Sequence, residues 1–206
     1  MKKFKDIELD ELPNISFSWD MIDDNMHQLL EFGVATGASL NHNTRLIYDY
    51  NPGQLFDVHG FDTFTGLPED WVTSDGKIIL PKGSFGQQEK FPLLDPELVE
   101  RDNISFWVGL FEDTLPKYLA TSPGKIAFLH IDCDLYSSTR TVLYGLNNLI
   151  VPGTIIRFDE WVYWGDEEFD DHEARCFHEW VEDFGREYRF FKQSGDIEEK
   201  FVLITG

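Results

Sequence analysis

The chain has 206 residues, enough for one α/β domain with a well-buried core and too few for two. Hydrophobic residues make up 42% and aromatic residues 15%, and no stretch approaches the roughly 20 apolar residues of a membrane span, so a soluble globular protein is expected. A net charge of -21 repels phosphate backbones and anionic lipid surfaces, which disfavours nucleic acid and membrane as partners and favours small-molecule chemistry, although such acidity can also serve solubility alone.

The N-terminal residues carry lysines with no apolar run of about 7–15 residues behind them, so no secretory signal is read and a cytoplasmic location is the expectation. Cys133 and Cys176 are the two cysteines and form no C-x-x-C pair, which points away from a disulfide framework or a cysteine-rich zinc site.

Residues 1–27 form a short N-terminal segment before the first regular pattern. Residues 27–34, HQLLEFGV, are a short apolar run ending beside a glycine, as a buried parallel strand does before a turn. Residues 39–50 predict a helix that stops before Asn51-Pro52-Gly53, because the residue before a proline resists the helical region. Residues 54–62 predict a second strand ending at Asp62. Residues 63–94 hold four glycines and three prolines without a helical period, which predicts a long active-site loop. Asp95-Pro96 reads as a cap and first helical position, opening a short helix to Arg101.

Residues 103–109 predict a third strand and 111–120 the helix after it. Residues 125–132, KIAFLHID, are a continuous apolar run ending in a carboxylate, a central fourth strand. Val142, Leu143, Leu146, Leu149 and Ile150 fall on one helical stripe, with Ser137 to Thr139 as capping candidates. Residues 154–160 predict a fifth strand, and a last helix from about Asp171 carries Ala174, Phe177, Val181 and Phe184 at helical spacing. Two further strands, 188–193 and 200–205, follow. The whole predicts one domain over residues 1–206: a Rossmann-like, doubly wound, mostly parallel seven-stranded sheet with helices on both faces. The tight DIEE connection makes the last strand antiparallel, since a parallel crossover needs about a dozen residues.

Ligands of such sheets lie beyond the carboxyl ends of the strands. There, residues 33–39, GVATGAS, could bring the backbone of Gly33 and Gly37 close to a ligand, with Thr36 and Ser39 in the same turn, although an ordinary strand-to-helix turn reads alike. The turn is not G-x-G-x-x-G, and Glu31 suits an ammonium group better than a pyrophosphate, a pattern that S-adenosylmethionine satisfies. Asp62 could accept from ribose hydroxyls, or simply cap its loop, and Phe111 could cover an adenine ring or pack in the core. Asp132 with Asp134 and Asp159 with Glu160 would converge from neighbouring strands, where a hard cation such as Mg²⁺ relieves their repulsion. Asp134 is the acid expected to face solvent as a helix-cap group. Asp132 could hold the cation and take a proton; His130, His172 and His178 are alternative bases. Trp71, Phe85, Trp161 and Trp164 are candidates to read an acceptor, or to pack in the core.

With these residues in place, the chain resembles the macrocin O-methyltransferase family of class I methyltransferases. The resemblance rests on H-I-D-C-D-L-Y-S-S-T-R at 130–140, P-G-T-I-I-R-F-D-E-W at 152–161, E-F-G-V-A-T-G-A-S at 31–39 and G-F-D-T-F-T-G-L-P-E at 60–69. It implies methylation of a hydroxyl on a sugar or other small molecule, with Glu31, Gly33 and Asp62 at cofactor positions. It further implies Mg²⁺ at Asp132, Asp159 and Glu160, with Asp132 as the base. Three features depart from the family's pattern: a short region before the first strand, Glu160 in place of a second aspartate, and Arg157 within a buried strand. Alternatives are a metal-independent methyltransferase, a binding protein that retains the fold, and a nicotinamide-dependent oxidoreductase, the last disfavoured by the glycine pattern. A homodimer is the default oligomer.

Overall fold

The computed structural model describes residues 26–50, 53–73, 76–86, 92–100, 103–161, 172–190 and 200–206. Its elements run β1 (Met26–Phe32), α1 (Ala38–Tyr50), β2 (Asp57–Asp62), β3 (Trp71–Val72), β4 (Ile78–Leu80), α2 (Pro96–Val99), β5 (Ile104–Val108) and α3 (Phe111–Leu119). They continue β6 (Lys125–Ile131), α4 (Tyr136–Leu146), β7 (Ile155–Phe158), α5 (Glu173–Phe184), β8 (Tyr188–Phe190) and β9 (Lys200–Ile204). Seven strands form one sheet in the order β5-β2-β1-β6-β7-β9-β8. The first five in that order pair in parallel, and β9 runs antiparallel to both β7 and β8. The expected Rossmann-like architecture with an antiparallel last strand is therefore the observed one.

The apolar strand runs bury side chains on both faces. Leu30, Leu129, Ile131 and Ile156 pack with Leu115 of α3, Val142 and Leu146 of α4 and Phe177 and Trp180 of α5. Leu29, Val58, Phe128 and Ile155 pack with Leu40 and Ile47 of α1 and Leu98 of α2. Burial of such residues, at about 1.5–3 kcal/mol for each large apolar side chain, is the main term holding the layers together. No described helix is long and apolar enough to cross a membrane.

Several local expectations are corrected. Residues 63–94 are not irregular throughout: β3 and β4 form a small antiparallel hairpin, whose Trp71 packs with Leu67 and Leu135. Asp95 precedes α2 but makes no side-chain cap, because its carboxylate lies 3.1 Å from Arg45 of α1. Ser137 to Thr139 do not cap α4 either. Leu135 holds that position, Ser137 bonds Glu69, and Thr139 Oγ1 donates back to the Leu135 carbonyl. Leu149 and Ile150 follow α4 rather than extending it. In α5 the buried face is Ala174, Cys176, Phe177 and Trp180, whereas Phe184 is 43% exposed and packs on Tyr144. The expected stop at Asn51-Pro52, the start near Asp171, the DIEE connection and the N-terminal segment before Met26 lie outside the described residues.

Candidate active site

Strand register builds a polar row across the α1 face. Glu31 of β1 stands opposite His130 of β6, which stands opposite Arg157 of β7. Glu31 Oε2 lies 3.0 Å from His130 Nδ1, and Glu31 Oε1 accepts from Ser39 Oγ at 2.8 Å. Arg157 donates to Asn43 Oδ1 at 2.9 Å and lies 3.6 Å from Asp159 Oδ1, so the unexpected arginine is held by an amide and an acid. His130 Nε2 is buried, 3.6 Å from the same Asp159 oxygen. Burial disfavours charge on His130, but the Asp159 and Glu31 carboxylates on either side outweigh it and raise its pKa to about 9.

Beyond this row, at the carboxyl ends of the parallel strands, lies a cavity of about 320 Å³, within the usual range for small-molecule sites. Its wall comes from Gly33 and Ala35 after β1, Asp62 at the end of β2 with Thr63 after it, and Leu110 to Glu112 after β5. Asp132 to Asp134 after β6, Ser138, and Asp159 and Glu160 after β7 complete the wall, with Leu67, Pro68 and Phe85 also facing it. Sequence-expected residues Gly33, Asp62, Phe111, Asp132, Asp159 and Glu160 are thus brought together. Glu31, Thr36, Gly37 and Ser39 are not on this wall: Glu31 and Ser39 bond each other behind it, Thr36 is exposed and its carbonyl accepts from Leu93, and Gly37 packs toward Pro92.

Asp62 organises the turn. Its Oδ2 accepts from the backbone N–H of Val34 and of Ala35, each at 2.8 Å, and its Oδ1 from Phe64 N at 2.6 Å. Two of the turn's N–H groups, those of Val34 and Ala35, are therefore occupied by Asp62. A carboxylate has about four acceptor directions, so roughly one remains for a hydroxyl donor. Gly33, at φ +93°, makes room for the protein's own backbone: a Cβ there would lie 1.6 Å from the Asp132 carbonyl oxygen. Phe111 is 9% exposed, with one edge on Phe32 at a centroid distance of 5.1 Å, so it serves core and cavity together.

The acids form the other half. Donor atoms of His130, Asp132 and Asp159 lie within 4.8 Å of one another. Glu160 is outside that group, but its Oε2 is buried with no hydrogen-bond partner among the described residues. Burial, reinforced by Asp159, Glu31 and Asp134 and opposed by His130, raises Asp132 to about 8. Burial and Asp159 raise Asp134 to about 7. Burial and the neighbouring acids also hold Glu160 well above the usual carboxylate range. Asp159 is held below it, because His130 and Arg157 outweigh its burial. The cluster is short of positive charge, and its oxygen-rich donor set fits a hard divalent cation. Asp134, expected to face solvent, is instead 6% exposed: at φ +61° it sits in a tight turn in which Leu135 N bonds the Cys133 carbonyl, facing the cavity.

Sequence reasoning missed Glu173, fully buried at the start of α5, and took His172 for a potential base. His172 Nδ1 accepts from Tyr136 N at 3.2 Å and its Nε2 donates to the Val72 carbonyl at 2.9 Å, so it ties the hairpin to α4. Those two partners specify one neutral tautomer. Trp71 and Trp161 are 3% and 2% exposed and pack in the core, leaving Phe85 as the described aromatic of that set on the cavity; Trp164 lies outside the described residues. His178 packs against Trp161 and Phe177 and is not on the cavity wall. Both cysteines are free and buried.

Fold and site together define a class I methyltransferase architecture. The model of the macrocin O-methyltransferase (TylF) family matches residues 20–178, and the chain belongs to that family. It is 29% identical over 116 residues to 8-demethyl-8-(2,3-dimethoxy-alpha-L-rhamnosyl)-tetracenomycin-C 4'-O-methyltransferase of Streptomyces olivaceus, a match spanning 48% of this chain and 40% of that protein. Among solved structures it is similar to the calicheamicin methyltransferase CalS11, with TM-score 0.66 and 22% identity over 90% of this chain and 75% of the other. It is also similar to the O-methyltransferase NovP, with TM-score 0.62 and 24% identity over 92% and 76% of the two chains.

Proposed function

We propose that this protein is an S-adenosylmethionine-dependent O-methyltransferase acting on a hydroxyl of a sugar or sugar-bearing small molecule, with a divalent cation, Mg²⁺, in the acid cluster. The observation that carries the reading is the cavity at the strand ends in a chain of this family, walled by Asp62 and Phe111 on one side and Asp132, Asp159 and Glu160 on the other. The sugar acceptor is supported by the rhamnosyl acceptor of the Streptomyces olivaceus relative and by CalS11, a TDP-rhamnose 3'-O-methyltransferase.

S-adenosylmethionine supplies the methyl group on its sulfonium. Asp62 offers its remaining acceptor direction to a ribose hydroxyl, and Phe111 an apolar ring for adenine. Glu31, behind the wall, holds the Ser39 hydroxyl and the His130 ring and so acts on the site through them. Asp132, Asp159 and Glu160 would hold the cation, whose chemistry is to lower the pKa of an acceptor hydroxyl and fix its position. Asp132, on the cavity wall, takes the hydroxyl proton on its carboxylate. Leu67, Pro68 and Phe85 give the cavity an apolar side.

The test is calorimetric titration with S-adenosylhomocysteine, with and without Mg²⁺, for the wild type and Asp132→Ala. Micromolar binding by both proteins, with a Mg²⁺ heat lost in the variant, is expected. Absence of S-adenosylhomocysteine binding would sink the methyltransferase reading, and activity indifferent to chelator and to Asp159→Ala would sink the metal.

A further inference from the structure

Glu173 stands apart from the residues assigned to the reaction. It is the first residue of α5 and is 0% exposed. Its Oε1 accepts from the backbone N–H of Cys133 and its Oε2 from that of Glu160, each at 3.2 Å. Cys133 lies between Asp132 and Asp134, and Glu160 follows Asp159, so one carboxylate grips both loops that carry the cavity acids.

These loops need such a tie. The β6–β7 ladder pairs Ile131 with Phe158, and the bond from Asp159 N to the Ile131 carbonyl is the last between the two strands. Past it, no backbone hydrogen bond joins residues 132–135 to 159–161 among the described residues. Their separation is then left to side chains, and the acids on them repel. A buried carboxylate among other acids is costly, but an apolar group of the same volume would leave the Cys133 and Glu160 N–H groups without acceptors. Burial, with Asp132 and Asp134 nearby, pushes the Glu173 carboxyl well above the usual carboxylate range against the pull of its two N–H bonds, so its acceptor oxygens rather than its charge make the tie, anchored on a helix packed in the core.

We infer that Glu173 is a positioning residue that sets the spacing between the Asp132–Asp134 loop and the Asp159–Glu160 loop, and through it the geometry offered to the cation. This rests on the metal reading given above. Outer-shell groups that orient ligands are worth about 10–100-fold in metal affinity.

The test compares wild type with Glu173→Gln, which keeps the volume but has one acceptor oxygen in place of two. Mn²⁺, as a spectroscopic stand-in for Mg²⁺, is titrated by electron paramagnetic resonance, S-adenosylhomocysteine by calorimetry, and Tm is recorded alongside. Mn²⁺ affinity is expected to fall about tenfold or more, with S-adenosylhomocysteine affinity within about twofold and Tm changed by only a few degrees, since relief of acid repulsion offsets the one lost N–H bond. Wild-type Mn²⁺ affinity in the variant overturns the inference, as does a parallel loss of Mn²⁺ affinity, cofactor affinity and Tm. A wild type that binds S-adenosylhomocysteine but no Mn²⁺ overturns the metal reading itself, visible before any variant is made. If the variant does not fold, Glu173→Asp, which keeps the carboxyl group and shortens the reach, takes its place. Amide exchange in the wild type adds a check free of substitution: the Cys133 and Glu160 amides are expected to exchange slowly, and fast exchange of both overturns the inference.

Discussion

Replacing Gly33 with alanine tests how the site is assembled. The backbone there has φ +93°, and an added Cβ would lie 1.6 Å from the Asp132 carbonyl oxygen and 2.7 Å from its carbon. An ordinary C···O contact is about 3.3–3.6 Å, so β1 and β6 must part by roughly 2 Å at this point. Left-handed backbone strain costs about 1–2 kcal/mol. Overpacking costs about 1–3 kcal/mol, and loss of the bond from Asp132 N to the Phe32 carbonyl about 1 kcal/mol. The expected destabilisation is about 3–6 kcal/mol against a total of about 5–15, a Tm shift on the order of 10 °C. Gly185→Ala is the control: φ there is +62° with nothing within 4 Å of the added Cβ, so only backbone strain applies. Urea unfolding at 25 °C measures both variants, and the difference between them isolates the clash. If Gly33→Ala is no less stable than Gly185→Ala, the contact between the glycine turn and Asp132 does not hold the site together.

Two further outcomes follow from the site. In the metal-free protein, folding raises the pKa of Asp132 to about 8, of Asp134 to about 7 and of His130 to about 9. The folded state therefore binds more protons than the unfolded state over pH 6–9, and stability falls as pH rises through that window. Asp159, shifted down, has already made its contribution above its unfolded value and stays flat there. Tm is expected to fall from pH 6 to 9 and to flatten with saturating Mg²⁺; a Tm that rises with pH refutes the charge balance described for the cluster. Phe85, 56% exposed beside the cavity, is expected to contact the acceptor, so Phe85→Ala should raise acceptor KM about 2–10-fold while leaving S-adenosylhomocysteine affinity alone. Unchanged KM removes Phe85 from the acceptor site.

The strand runs at 27–34, 54–62, 125–132 and 154–160 each end in a glycine turn or an acid, and that is enough to place Gly33, Asp62, Asp132, Asp159 and Glu160 at the carboxyl ends of parallel strands. Periodicity and turn chemistry are local, so the doubly wound sheet and its antiparallel last strand could be read from the residues. The roles within the site could not. Which lone pairs of Asp62 are spent on the turn, whether Asp134 turns inward and what Gly33 makes room for depend on distances between segments far apart in the chain. The row Glu31–His130–Arg157 exists only because β1, β6 and β7 pair in one register, and a shift of one residue would turn His130 to the other face. Glu173 carried no sequence signal, since an acid in a helix's first turn is commonplace. It becomes distinctive only when packing of α5 against the sheet buries it between two loops whose N–H groups no strand is left to satisfy.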